Sequence, residues 1–227
     1  MLFNCVIMST KDRQMVEVRV EKLEQVSRDS YILEFGRFFD FEPGQVIRLC
    51  GAGMDEPRLY SIASGSRDAN VQVLFNVVDS GKLTPRLADL RRGDRLMASP
   101  AFGRFSGTEG EAWWIAQGTG LAPFLSMFRS GMGANKTLLH GGRYADSFYF
   151  AGELSSALGD RYVRCCSREE GEGLFHGRVT DYLSIVTELR PDALYYLCGS
   201  AEMVVETRDI LIARGVPFRQ IVSEIYF

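Results

Sequence analysis

The sequence has no C-x-x-C pair, only two histidines, and no apolar run near the roughly 20 residues that a membrane-spanning helix needs. Its five cysteines, Cys5, Cys50, Cys165, Cys166 and Cys198, are odd in number and scattered, and His140 and His176 lie far apart. This distribution argues against a zinc site and against an iron–sulfur cluster ligated by the chain, so no metal is expected. It suits a reducing compartment, and a cytoplasmic location is expected. The opening stretch MLFNCVIMSTKDRQ carries neither a basic leader nor a cleavage site. It reads as a first strand or a loose terminus. A strong charge of one sign is missing too. Lys and Arg number 26 against 29 Asp and Glu, a net charge of -3, which excludes a wholesale electrostatic grip on nucleic acid.

What is present is ordinary for a globular protein. Hydrophobic residues make up 46% and charged residues 24% of 227 positions, enough for one large or two small domains. The positive charge is nearly all arginine, which favours planar, bidentate contacts with phosphate or carboxylate.

The chain has two rhythms. From Met15 to Ser106 short alternating stretches such as MVEVRVEKLEQVS, YILEFGR and VQVLFNVVDSG are separated by turn signals, as in an all-β barrel or sandwich. FEPGQVIRL suits a tight turn feeding a strand, with Pro43 fixing φ and Gly44 free to take positive φ. After Gly107 strands alternate with helices: AWWIAQ, KTLLHGGR, DRYVRCCSRE and ALYYLCGS read as strands. GTGLAPFLSMFRSG reads as a glycine turn followed by a helix, and the segment around FYFAGELSSALG and AEMVVETRDILIARG read as helical. This predicts a parallel sheet covered on both faces. The expected organisation is an N-terminal antiparallel β-barrel over 1–106 and a doubly wound α/β domain over 107–227, with the boundary near Ser106–Glu111.

Three stretches carry chemistry. RLYSIAS crowds an arginine, a phenol and hydroxyls into one short strand that valines would make as well. GTGLAPF sets Gly118, Thr119 and Gly120 between a buried strand and a helix start, where backbone N–H groups and the helix N-terminus attract an anion. Pro123 is tolerated in that helix's first turn. On its own this stretch is also what a plain glycine turn closing a βα unit looks like. Arg143, Ser167, Arg168 and Arg178 follow strands, and in a doubly wound sheet the strand C-termini share one edge where ligands bind. Together they can clamp a phosphate; taken singly, each arginine also reads as solvated surface charge.

With these pieces in order, the chain resembles the ferredoxin–NADP(+) reductase family, especially its compact bacterial ferredoxin/flavodoxin reductases, from FEPGQ to the terminal EIYF. The resemblance implies that the barrel binds FAD and the α/β domain NADP(H). RLYS is similar to the family's flavin motif: Arg58 on the pyrophosphate, Leu59 beside it, Tyr60 against the flavin, and the Ser61 hydroxyl at N5. SGKLTPRL resembles a second phosphate loop, in which Gly81, Lys82, Leu83 and Thr84 offer N–H groups and a hydroxyl, with Leu87 and Leu90 as core residues of a short helix. GTGLAPF resembles the loop beneath the nucleotide pyrophosphate, with Thr119 also close to the flavin. GGRY, SRE and GR resemble the 2′-phosphate elements, falling on Arg143, Ser167, Arg168 and Arg178. Glu169 is a counterweight, because a carboxylate turned onto the ribose favours NADH. LCGS places Cys198 beside the nicotinamide as a pocket wall. In SEIYF, Glu224 is either part of a proton relay or a charged tail residue, and whether Tyr226 or Phe227 stacks on the flavin or the adenine is open.

The function implied is hydride transfer between NADP(H) and FAD, with single electrons passing to or from ferredoxin or flavodoxin. Catalytic roles fall to Ser61, Cys198 and Glu224. The protein is expected to be a monomer. An NADH-dependent flavin reductase or oxygenase reductase component fits the same scaffold, and a flavin-binding regulatory subunit without turnover is a non-enzymatic alternative.

Overall fold

The computed structural model describes residues 14–226 except 52, 54, 55 and 188. The opening segment with Cys5, and the terminal Phe227, lie outside the described residues.

The first half is an antiparallel barrel of β1 (Val16–Gln25), β2 (Ser30–Gly36), β3 (Val46–Gly51), β4 (Arg58–Ser61), β5 (Asn70–Asn76) and β6 (Arg95–Ala98), with the short helix α1 (Thr84–Ala88) between β5 and β6. Period-two alternation makes β1 a strand with one wet face: Val18 and Val20 point inward while Glu17, Arg19 and Glu21 are exposed. A bulge between Val20 and Lys22 then shifts its register against β2. The sheet order is β4-β3-β6-β1-β2-β5, and a bridge from Ile62 to Val73 joins the two ends, so the sheet closes on itself. Inside it Leu33, Phe35, Ile47, Leu49, Val71, Val73 and Leu96 are fully buried. Gly44 takes φ 97° in the turn after Pro43, and a side chain there would strike the Phe105 carbonyl. That turn needs its glycine.

The second half comprises β7 (Ala112–Gln117), α2 (Ala122–Met127), β8 (Lys136–Gly142), α3 (Ala151–Leu158), β9 (Tyr162–Cys166), β10 (Leu174–His176), α4 (Val179–Ile185), β11 (Leu194–Ser200), α5 (Ala201–Ala213) and β12 (Ile221–Tyr226). All six strands are parallel, in the order β10-β9-β8-β7-β11-β12. β7 is central and buried on both faces from Ala112 to Ala116, which explains its unbroken apolar run. One face, with Trp114, Leu138 and Tyr196, packs on α2 and α3 and also against Ala63, Leu74 and Phe105 of the first half. The other face, with Trp113, Ile115 and Leu197, is covered by α4 and α5.

The helix expected around FYFAGELSSALG begins only at Ala151, because Phe150 sits at φ 62° and breaks the helical path. The strands β6, β10 and β12 and the helix α4 were not anticipated; residues 223–226 of the SEIYF tail lie in the edge strand β12. Among the described residues no helix is long and apolar enough to cross a membrane.

Candidate functional site

The chain runs outward from β7 through β8 and β9 to β10, then returns to place β11 on the other side of β7. The switch point therefore lies between the C-terminal ends of β7 and β11, where such sheets hold ligands. The Gly118–Leu121 turn stands there as a short 3-10 segment leading into α2, whose first turn contains Pro123. Gly118 has φ 54°. Gly120 is needed for a different reason: any side chain would collide with the Cys198 carbonyl at the end of β11. Thr119 is half-buried between them. Gln117, which the sequence did not single out, ties the two strand ends together, its Oε1 accepting from Ser200 Oγ at 2.7 Å.

The expected catalytic residues meet at this edge. β11 and β12 pair so that Cys198 lies beside Glu224 and Ser200 beside Tyr226, which puts both tail side chains on the face turned toward the barrel. Ser61, 2% exposed at the end of β4, donates its hydroxyl to Glu224 Oε2 at 3.0 Å and accepts from the Tyr226 hydroxyl at 2.7 Å. Cys198 Sγ lies 4.0 Å from the same carboxylate oxygen. Burial pushes the Glu224 carboxyl above its ordinary range, and the Ser61 hydrogen bond pulls partly back. Burial, with help from the Glu224 charge, pushes the Cys198 thiol up, and burial does the same for the Tyr226 phenol. This burial favours the neutral thiol form of Cys198.

The rest of RLYS faces outward by degrees. Tyr60 is half-buried edge-on to Phe75, and burial pushes its phenol up to about 12. Leu59 is 60% exposed, and Arg58 is exposed with Glu56 Oε2 3.3 Å from its guanidinium. In the loop before α1, the Gly81 N–H donates to the Val78 carbonyl at 2.7 Å and Thr84 Oγ1 accepts from the Val78 N–H at 2.9 Å. Those two groups brace the loop ahead of α1.

Arg143, Ser167 and Arg168 come together beyond β8 and β9: the Arg168 N–H donates to the Arg143 carbonyl at 3.1 Å and the Ser167 N–H to Gly142 at 3.1 Å. Arg178 follows the adjacent strand end, because His176 of β10 pairs with Cys166 of β9. Its guanidinium is 3.7 Å from Glu202. Glu169 turns back onto its own half, its Oε2 accepting from the Ala145 N–H at 2.6 Å. Tyr144 and Arg28 are additions to the expected set. Arg168 donates to the Tyr144 hydroxyl at 3.1 Å, and Arg28, from the barrel, lies 4.2 Å over the Tyr144 ring and pairs with Asp146 at 3.0 Å. Tyr144 stood in the GGRY stretch; Arg28 carried no local signal. Among the described residues no group of three His, Cys, Asp or Glu is placed to hold a metal.

The fold and the sequence both have counterparts among known proteins. Residues 114–209 match the oxidoreductase NAD-binding domain family. The propane 2-monooxygenase reductase component of Mycolicibacterium smegmatis is 32% identical over 92% of this chain and 66% of its own length. Across three such components the chain spans between 62% and 66% of the relative's length. Ferredoxin–NADP reductase A of Sorangium cellulosum is 30% identical, with 78% of this chain and 74% of the relative aligned. A solved Neisseria gonorrhoeae ferredoxin NADP+ reductase with bound FAD and NADP has the same fold, at TM-score 0.83 and 21% identity over 94% of this chain and 99% of that one. A closed barrel followed by a parallel sheet, together with a relative 30% identical over 74% of its length, identifies the chain as a member of the ferredoxin–NADP(+) reductase family of oxidoreductases.

Proposed function

We infer that this protein is an FAD-dependent reductase that takes electrons from NADPH and delivers them to a ferredoxin or flavodoxin. The observation that carries this reading is the meeting of Ser61, from the barrel, with Cys198, Glu224 and Tyr226, from the parallel sheet, around one buried hydroxyl.

The residues fit both cofactors. An exposed guanidinium at Arg58 and an uncovered Leu59 precede Tyr60, so a phosphate and a flat apolar group can both be seated along β4. The α1 start offers a second phosphate contact. Residues 1–106 are thus assigned to FAD. Residues 107–227 are assigned to the nucleotide, with its pyrophosphate at Gly118–Gly120 and its 2′-phosphate among Arg143, Ser167, Arg168 and Arg178.

When bound, the flavin supplies hydride acceptance and one-electron chemistry. The chain supplies alignment and proton control. Ser61 orients the reacting edge with its hydroxyl, and Glu224, its proton affinity raised by burial, takes or returns a proton through Ser61 Oγ. Cys198 walls the site, and the Tyr226 phenol fixes the Ser61 rotamer from the other side.

A second reading, the reductase component of an oxygenase system, is favoured by the propane 2-monooxygenase reductase components, which match 92% of the chain. Identifying the released flavin and then assaying reduction of ferredoxins, flavodoxins and oxygenase components from the same source tests both. FAD, with turnover on a small carrier, is the expected result. FMN alone would contradict the cofactor assignment, and turnover on an oxygenase component alone would favour the second reading.

A further inference from the structure

The helix that follows the glycine turn grips the chain just beyond RLYS. Ser126 of α2, fully buried, donates its hydroxyl to the Ser64 carbonyl at 2.7 Å. A π turn over Phe128–Met132 then continues α2, with Gly131 at φ 87°. Such wide turns redirect side chains that a regular helix would carry elsewhere. Arg129 Nη1 donates to the Ala63 carbonyl at 3.3 Å and to Gln72 Oε1 of β5 at 2.8 Å. Its Nε and Nη2 make a two-point ion pair with Glu153 of α3, at 3.0 and 2.8 Å, and its guanidinium lies 4.9 Å over the Phe150 ring. The Ser66 N–H donates to Ser130 Oγ at 2.9 Å. At Gly65 an added Cβ would lie 2.9 Å from the Arg129 carbonyl oxygen, so the two backbones touch without room for a side chain. Residues 63–66 are therefore held at each position by one short piece of the second half. That piece is continuous with the Gly118–Leu121 turn.

We propose that α2 and its π turn form a register clamp, with Ser126 and Arg129 as positioning residues that fix the flavin strand relative to the nucleotide turn. The clamp rests on the assignment of those two segments to FAD and to NADP(H). Neither residue touches the Ser61–Glu224–Tyr226 group or the arginine cluster, so its effect is on where the two cofactors stand and not on how tightly each is held. Hydride transfer falls steeply with misalignment, and a displacement near 1 Å can cost about a hundredfold.

The test uses FAD-loaded protein carrying Ser126→Ala or, separately, Arg129→Lys. Lysine keeps the positive charge, but its single compact ammonium cannot pair with Glu153 and reach Ala63 and Gln72 at once, as the guanidinium fork does. FAD and NADP+ dissociation constants, amide hydrogen exchange over residues 62–66, and stopped-flow flavin reduction by NADPH are measured on each. Expected are binding constants within about twofold of the unaltered protein, faster exchange at 62–66, and reduction slowed about tenfold or more. Undiminished reduction, or a rate loss that merely follows weaker cofactor binding, would overturn the clamp. If the unaltered protein is itself not reduced by NADPH, the proposed function falls and the clamp with it; if it is reduced and both variants match it, only the clamp falls.

Discussion

Ser61 joins the two halves of the chain through one hydroxyl, which both donates to Glu224 and accepts from Tyr226. Removing it strips both buried partners of their shared contact. Ser61→Ala should retain FAD, lose about 1–3 kcal/mol of stability, and slow flavin reduction roughly ten- to a hundredfold. Stopped-flow reduction beside a denaturation curve checks this, and an unchanged rate would remove Ser61 from the mechanism. His140 makes a second prediction at this scale. It is fully buried in β8, 3.1 Å from the Tyr162 hydroxyl, and burial lowers its pKa from 6.5 to about 4. With the folded value depressed, the unfolded chain binds the extra proton between those two values. Stability is present above pH 6.5 and is lost as pH falls toward about 4, by about 2–4 kcal/mol. The stability difference between the unaltered protein and His140→Gln should therefore shrink over that window; a flat difference would mean the imidazole is not held neutral. Ser61 stood out in the sequence because costly polar groups crowd one short strand, and the structure buries it against Glu224 and Tyr226. Gln117, Arg28 and Arg129 did not, since each acts on residues 57 to 118 positions away and has no local pattern to mark it.

The alternating β1 and the apolar β7 announced themselves by their residue pattern. The elements that escaped are short or half-wet. β10 has three residues and β6 four, α4 is only seven residues long, and β12 is an edge strand that carries Ser223 and Glu224. The short ones repeat their period too few times to stand out, and the polar residues of β12 break its apolar pattern. The glycine turn offers the prediction at this scale, because its two glycines serve different needs. Gly118→Ala meets open space and bears only the cost of positive φ, about 1–2 kcal/mol. Gly120→Ala must push the β7 end away from the Cys198 carbonyl, which should cost about 1–3 kcal/mol and also weaken NADP+ binding. Urea unfolding and nucleotide titration of the two variants distinguish them, and normal nucleotide affinity in Gly120→Ala would contradict the placement of the pyrophosphate.

At the scale of the whole molecule, the order of motifs gave away a barrel followed by a doubly wound sheet, since each half keeps its own periodicity. How the halves meet was beyond the sequence, because the shared core of Ala63, Leu74 and Phe105 against α2 and β11 is built from residues that look like any other core. Nucleotide choice belongs here, drawing on the ends of β8, β9 and β10 and on Arg28 of the barrel. Charge-assisted contacts contribute about 1.5–3 kcal/mol each, so Arg168→Ala with Arg178→Ala should raise the KM for NADPH a hundredfold or more and leave NADH kinetics nearly unchanged. Equal losses with both nucleotides would make the arginines structural. The central claim, that both halves bring their cofactors together at Ser61, is tested most directly by adding NADPH anaerobically to the purified protein with its flavin bound and following the flavin's visible absorption. The account predicts prompt, stoichiometric bleaching; an absorption that NADPH leaves untouched while a chemical reductant bleaches it would contradict it.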